Sequence, residues 1–522
     1  MKSKIGQSEF RTPLNDPKIQ RMIDLKRRST DTFNNSYNDK SNHQIFEHFL
    51  IVGAPPDIES KSKNVKPRIL FVYPSNNLQL TTEDINIIPD FCFSKGFSQS
   101  SSLAFDSDHV IEAEFVFRLH PSGLYGVCSR CFVNPSRIPF FASNETVNYP
   151  FCYCFITKYP IFSVHFTILY YFTLLIDRLV DPAGDRLFKK ERDSGSQGDS
   201  IPDLISTHNF STWKGFKIPF VIKKELFFLY RIHKHTSENK CASIELSDDL
   251  KVFIPSYLDY DELIGNCCFD ALFSSLSISN IVQIFTNVLL EERTILYSEN
   301  VEKVTLSVLA LTAIFHKFDL LCNIYAILPK SHAIILQSPF PYLIGACFRP
   351  DDELLEENCF VNLDTNKIER EKIHVRNPQA HNIIRKLNKI FEKHEDKITV
   401  PDSSEFEKYD EFLNNVHVYS RPIHSLLMYQ TKFVIHPLIV RKIIKCFVTE
   451  FYDKLTDIVT PCFVSDSTDS NNPITVFNKN LFLKYIDNTS KDFYELFLQT
   501  SIFDMYTENK IAELEKKRKA KD

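Results

Sequence analysis

Two cysteine spacings are the first candidates for chemistry in this chain: Cys128-x-x-Cys131 and Cys152-x-Cys154, offsets at which thiolates can hold zinc. Both pairs lie in runs of β-favouring and aromatic residues, with neither Gly nor Pro between the thiols to form a knuckle turn. On a regular strand an offset of three sends Cys128 and Cys131 to opposite faces, so these thiols are expected to be core residues, with no metal ligand set. The pair His233 and His235 has no matching ligand motif and reads as a solvated strand face. The cysteines number 13, odd and scattered, which fits a reducing compartment rather than a disulfide scaffold. Glycine is scarce, with 11 copies, and this excludes phosphate-loop chemistry. No two glycines stand five apart as a Walker-type loop needs, no three cluster as a dinucleotide fingerprint, and no pair frames a nucleophilic serine. No catalytic residue, cofactor or metal is expected.

The elements that would position any site come next. In residues 289–350, Thr294-Ile295-Leu296-Tyr297 is a β-favouring run followed by capping-type residues 298–300. Val301, Val304, Val308, Leu311 and Phe315 then recur at helical spacing with further apolar residues between them, predicting a helix buried on most sides. A second apolar run, Asn323 to Leu328, stops at Pro329, and a third, Tyr342-Leu343-Ile344, stops at Gly345. Strand, helix, strand at this spacing is a βαβ unit with parallel strands and a right-handed crossover. Gly345 is expected to permit a turn or a close backbone approach.

At 522 residues the chain can bury two or three cores. The 61 basic and 66 acidic residues nearly balance, which argues against a nucleic-acid binder working by bulk positive charge. The N-terminus lacks the apolar run of a secretory signal. Residues 159–176 are free of Asp, Glu, Lys and Arg, yet they contain Pro160 and His165 and are edged by Asp177 and Arg178. A buried or amphipathic helix is the better reading than a membrane span, and a soluble cytoplasmic protein follows as the expectation.

The wording of this central segment, with its double proline before YLIG at residues 339–345, closely resembles the central part of the DENN domain. IFEHFLIVG (45–53), PRILFVYPS (67–75), IPDFCFSKGF (88–97), FVFRLHPSGLYGVCSRCF (115–132) and FCYCFITKYPIFSVHFTIL (151–169) look like the family's N-terminal module, in its order. FVNLDTNKI (360–368) is similar to its LD-containing strand, and residues 476–506 resemble its closing helical module, where the usual FD is Phe477-Asn478. The resemblance covers most of residues 44–506 and rests on the order of its blocks. It implies an α/β protein: a longin-like N-terminal α/β lobe, a larger α/β lobe with a mainly parallel central sheet, and a C-terminal helical module. It also implies a guanine-nucleotide exchange factor for a Rab-type small GTPase in membrane trafficking, with possible peripheral membrane contact and no nucleic acid. Two alternatives stay open: a GTPase-activating protein of the same architecture, and a non-catalytic scaffold.

On this reading the chain divides into a polar tail (1–43), the N-terminal lobe (44–180), a linker and connecting segment (181–240), the central module (241–368), a charged connector (369–429), the helical module (430–506) and a charged tail (507–522). The central module opens with strand-like VFIPSYL (252–258) and a helix over 273–290. Leu438, Ile439, Ile443, Ile444, Phe447 and Phe451 form an apolar stripe in the last module, and 465–473 a polar loop. The basic cluster Lys516 to Lys519 suits a solvated helix end, with anionic lipid as the alternative.

An exchange factor needs a docking surface and no nucleophile, and the resemblance places it at strand ends and turns of the matching blocks. The candidates for the GTPase interface are Asp90, Phe91, Tyr125, Arg130, Pro339 and Tyr342. Tyr125 and Tyr342 are expected mainly as packed supports, and Arg130 either pairs within its lobe or, in a GTPase-activating protein, serves as an arginine finger. Arg293 is expected to pair with Glu291 or Glu292 at a helix-to-strand junction.

Overall fold

A computed structural model describes residues 43–56, 65–75, 79–97, 109–133, 150–180, 210–214, 216, 218–231, 233–234, 242–247, 250–254, 259–370, 375–394, 435–466 and 474–519. The tail before residue 43, residues 181–209 of the linker, His235, residues 255–258, most of the connector and residues 467–473 lie outside the described residues.

The first lobe is built on one antiparallel sheet. Its elements are β1 (His43–Gln44), β2 (His48–Gly53), β3 (Arg68–Tyr73), α1 (Thr82–Cys92), β4 (His109–Arg118), β5 (Tyr125–Val133), β6 (Phe151–Thr157) and α2 (Phe162–Val180). They are followed by β7 (Ser211–Thr212), α3 (Phe220–Arg231) and β8 (His233–Lys234). The sheet order is β4-β5-β6-β2-β3-β7, while β1 pairs with β8. The linker region thus returns to the first lobe through β7 and α3.

The two-residue period decides which side chains meet. Val116, Val127, Phe155, Phe49 and Tyr73 stand in register across one face, where α2 packs: Phe172 meets the Phe49 ring edge-on at 5.6 Å. Phe115, Cys128, Cys154 and Leu50 stand in register across the other. There α1 lies over the sheet, with Phe91 stacked on Phe117 at 5.0 Å. Helix α1 starts where Thr81 accepts from Asp84 N–H and the Asp84 carboxylate accepts from Thr81 N–H, a reciprocal cap. The uncharged run at 159–176 leads into and forms most of α2, burying Phe162, Phe166, Leu169 and Phe172. No single described helix is long and apolar enough to cross a membrane.

The second lobe opens with a hairpin, β9 (Ala242–Ser247) and β10 (Leu250–Ile254), then α4 (Tyr260–Ser275) and α5 (Ile278–Leu289). The single helix expected over 273–290 is broken, because Leu276 is extended and the Ser277 hydroxyl accepts from Asn280 N–H to start a new helix. The two axes bend by 114°. An apolar face that continues through the break hides it from periodicity.

The expected strand, helix, strand order with parallel strands is present. β11 (Thr294–Tyr297), α6 (Val301–Ile314), β12 (Asn323–Leu328), a 3-10 segment (Lys330–Gln337), β13 (Tyr342–Ala346), α7 (Asp352–Glu356), β14 (Cys359–Asn362) and β15 (Lys367–Arg370) follow in turn. The sheet order is β12-β13-β11-β14-β15, with every pairing parallel except β14–β15. Its strands are apolar on both faces. Leu296, Leu343 and Val361 join the main core, while Ile295, Tyr342, Ile344 and Phe360 form a second cluster with Leu336 and Leu355. Gly345 is closely approached by both α6 and β12: a Cβ there would stand 2.4 Å from Val304 Cγ1 and 2.2 Å from the Ala326 carbonyl oxygen. The close approach is the reason for glycine.

The charged connector contains an amphipathic helix, α8 (Ala380–Lys393), which buries Ile383 and Leu387. The last module holds α9 (Pro437–Phe447), a π-helical turn over Val448–Tyr452 and α10 (Asp453–Val459). A hairpin, β16 (Phe463–Asp466) and β17 (Ile474–Phe477), interrupts the helices, so the module is not helical throughout. Helices α11 (Lys479–Tyr485), α12 (Lys491–Phe497) and α13 (Ser501–Lys519) close it, and α13 carries helix into the charged tail. Leu438 departs from its expected place on the apolar stripe and is exposed, while Ile439, Ile443, Ile444, Phe447 and Phe451 are buried. Asn478 caps α11 by accepting from Leu481 N–H, the task an Asp would perform there.

Candidate docking surface at the lobe junction

The two lobes meet along a polar seam. At the end of α1, Asp90 Oδ2 accepts from Ser331 Oγ and His332 Nε2, each at 3.0 Å. Lys330 N–H donates to the Ser94 carbonyl at 3.0 Å, and the Lys95 ammonium donates to the Glu299 carbonyl. Pro329 ends β12, and the 3-10 segment after it turns these groups toward the first lobe.

Beside the seam lie the carboxyl ends of β11 and β14, the position where open parallel sheets present their loops to ligands and partners. Asp364 holds these loops together. Its carboxylate accepts from Ser298 Oγ at 2.7 Å, Glu299 N–H at 3.0 Å and Lys303 Nζ at 2.7 Å. Burial opposes ionisation of Asp364, but the bonds from Lys303, Ser298 and the Glu299 backbone outweigh it and hold the carboxyl below its usual range. Alongside, Glu369 receives Asn362 Nδ2 at 2.7 Å and Arg349 Nη1 at 2.9 Å. The result is a rim of ordered charges at the strand ends, suited to recognition.

Of the six interface candidates, Asp90 and Pro339 reach the surface, Asp90 half-buried and Pro339 exposed. Phe91 is buried against Phe117, and Tyr125 is buried with its ring edge-on to Phe162 at 5.2 Å. Tyr342 is buried too, its hydroxyl 2.8 Å from Asn358 Oδ1 and 3.1 Å from the Leu336 carbonyl. Arg130 is 6% exposed. It makes a two-point ion pair with Glu112, at 2.9 and 3.2 Å, and donates to the Cys92 carbonyl at 3.2 Å. Phe91, Tyr125, Arg130 and Tyr342 are therefore interior supports. The pair expected between Arg293 and its neighbouring glutamates is different: Arg293 binds Glu357 at 2.7 Å, and Glu291 accepts from Ile502 N–H at 3.1 Å. Sequence reasoning missed Ser331, His332 and Lys95, because their partners lie up to 242 residues away.

Two further groups gather side chains with ligand atoms. Asp259, Asp261 and His316 lie together, but Asp259 caps α4 and His316 Nδ1 is 2.6 Å from Asp261, so the set closes on itself. The second is the cysteine group in the first lobe. Cys131 faces away from Cys128, as the offset of three predicts, yet the Sγ atoms of Cys92, Cys128 and Cys154 lie within 4.8 Å of one another. Burial pushes these thiols up, and at Cys154 the hydrogen bonds from Cys128 and Cys92 overcome it, drawing that thiol down to about 7.

Residues 238–366 match the family model of the DENN (AEX-3) domain. The chain is also similar to DENN domain-containing protein 2A of Mus musculus, with 32% identity over 85 residues. That alignment spans 16% of this chain and 8% of the mouse protein.

Proposed function

We propose, from the premise that this chain is a DENN domain protein, that it promotes GDP release from a Rab-type small GTPase. What carries this reading is the matched segment, which forms the parallel-sheet lobe whose strand ends adjoin the seam with the first lobe. A GTPase held across that seam would meet both lobes at once.

Small GTPases keep their nucleotide through phosphate contacts and a Mg²⁺ ion that order the switch segments. An exchange factor shifts this equilibrium by binding the nucleotide-poor form more tightly than the loaded form. That requires surface and preorganisation, which the Asp364 network and the Asp90–His332 contact supply. The arginine considered as a finger for the GTPase-activating alternative, Arg130, is buried and committed to Glu112. The work would be done in the cytoplasm, at a vesicle or endosomal surface where the GTPase resides.

The test is release of fluorescent GDP across a panel of Rab GTPases, with the purified full chain. Accelerated release from at least one member is the expected result. Binding without acceleration would establish a scaffold, and faster GTP hydrolysis would establish a GTPase-activating protein. Either overturns the proposal.

A further inference from the structure

The first lobe buries four thiols in one place, supplied by three separate elements. Cys128 on β5 stands directly opposite Cys154 on β6, and Cys152, two residues along β6, falls on the same sheet face. Cys92, the last residue of α1, comes down on them from above. Cys92, Cys128, Cys152 and Cys154 are all fully buried. The first, second and fourth already bring their Sγ atoms within 4.8 Å of one another.

We propose that Cys92, Cys128, Cys152 and Cys154 form a closed thiolate site for one soft d¹⁰ metal ion, Zn²⁺ by preference, that pins α1 to the sheet. Tetrahedral zinc with bonds of about 2.3 Å sets its sulfurs about 3.7–3.8 Å apart, so the three close thiols, all within 4.8 Å, need to draw together by at most about 1 Å. Small rotations about their Cα–Cβ bonds supply that. Cys152 swings in from the neighbouring position on the same strand face. Binding displaces the thiol protons to solvent and leaves a net negative cluster.

The surroundings suit that charge. Arg130 is the cross-strand partner of Cys152 on the same face, and its guanidinium donates to the Cys92 carbonyl. Glu112 takes the outer side of the guanidinium, so the cation is fixed in orientation behind the thiols. Complete burial leaves no open coordination position for water, which makes the site structural. The consequence runs to the seam. The residues next to Cys92 are those that hold the second lobe: Asp90 to His332, Ser94 to Lys330 and Lys95 to Glu299. An ion at the end of α1 would fix the height of this helix end and with it the relation of the lobes. This inference stands apart from the exchange activity.

The experiment is metal analysis of the full chain purified under reducing conditions without chelator, followed by replacement of its metal with Co²⁺. About one equivalent of zinc is expected, with the thiolate-to-cobalt charge-transfer band of a tetrahedral sulfur site. Cys128→Ser and Cys154→Ser should abolish both, while Cys347→Ser, outside the cluster, should keep them. Because the serine variants could fail to fold, the wild type is also titrated with an organomercurial, which should release its zinc in step with thiol modification. A folded chain with no retained zinc and no cobalt band would overturn the proposal. So would mass-spectrometric detection of a Cys128–Cys154 disulfide as the resting form.

Discussion

Asp90 and His332, 242 positions apart in the chain, meet at 3.0 Å across the boundary between the lobes. Their side chains are 39% and 33% exposed, so the pair contributes under about 1 kcal/mol to stability. Its effect belongs to alignment. Asp90→Asn and His332→Gln should leave the melting temperature within a few degrees of wild type. Under the proposed exchange activity, each should slow GDP release on the order of threefold to tenfold, and the double variant should be no worse than the slower single one. Fully additive losses would show that the two residues act separately.

Arg130 gives the opposite pattern. It is buried and tied to Glu112 and the Cys92 carbonyl, and its guanidinium also lies over the rings of Phe93 and Phe115. Arg130→Ala should destabilise the chain by about 2–4 kcal/mol in urea unfolding, a range reduced because Glu112 is partly solvated. Arg130→Lys should recover only part of this, since an ammonium cannot span both carboxylate oxygens. Wild-type stability for the alanine variant would refute the structural role.

Gly345→Ala places a methyl group 2.2 Å from the Ala326 carbonyl oxygen, a backbone atom held in the neighbouring strand. The clash should cost at least about 2–3 kcal/mol, seen as a lowered denaturant midpoint or loss of soluble protein.

Two buried groups near the start of β2 should impose opposing pH dependences. His165, whose Nε2 donates to the Ile45 carbonyl at 2.9 Å, is lowered by burial from 6.5 to about 4. Glu47, which accepts from Lys158 N–H at 2.8 Å, is raised by burial from 4.5 to about 7. From pH 4 to 6.5 the unfolded chain carries a proton at His165 that the folded protein lacks, so stability rises with pH. From pH 4.5 to 7 the folded protein keeps a proton at Glu47 that the unfolded chain has lost, so stability falls with pH. Each difference corresponds to about 3 kcal/mol, and in the wild type the two largely cancel. Relative to wild type, Glu47→Gln should show stability climbing across this range, and His165→Gln should show it declining. Parallel profiles for all three proteins would refute the assignment.

Local signals made much of the architecture legible. Capping residues 298–300 and the periodic α6 between apolar runs were enough to foresee the parallel sheet, although the strand expected to stop at Gly345 runs on to Ala346. The same local reasoning missed the break at Leu276–Ser277, because both helices turn a continuous apolar face inward. It also passed over α8, whose Ile383 and Leu387 are set among charges. Among the candidate contacts, Asp90 and Pro339 reach the surface, while the aromatic residues and Arg130 are interior. Strand ends can be read from sequence, but which side chain ends up covered depends on elements far along the chain. The cysteines make the same point: the offset of three separates Cys128 from Cys131 as read, but only cross-strand register brings Cys128 to Cys154.

The stretch that matches the family, 238–366, is a unit of inheritance but not a unit of folding. Phe285 in α5 packs its ring against Phe447 and Phe451, at 5.0 and 5.5 Å, and both lie beyond the match. Glu291, held at a positive φ of 56°, caps the start of α13 through Ile502 N–H. A fragment cut at residue 366 would strip those aromatic neighbours away and leave the half-buried Glu291 carboxylate without its Ile502 partner. Excised alone, the segment should aggregate, and only the chain carried through α13 should behave as an independent body.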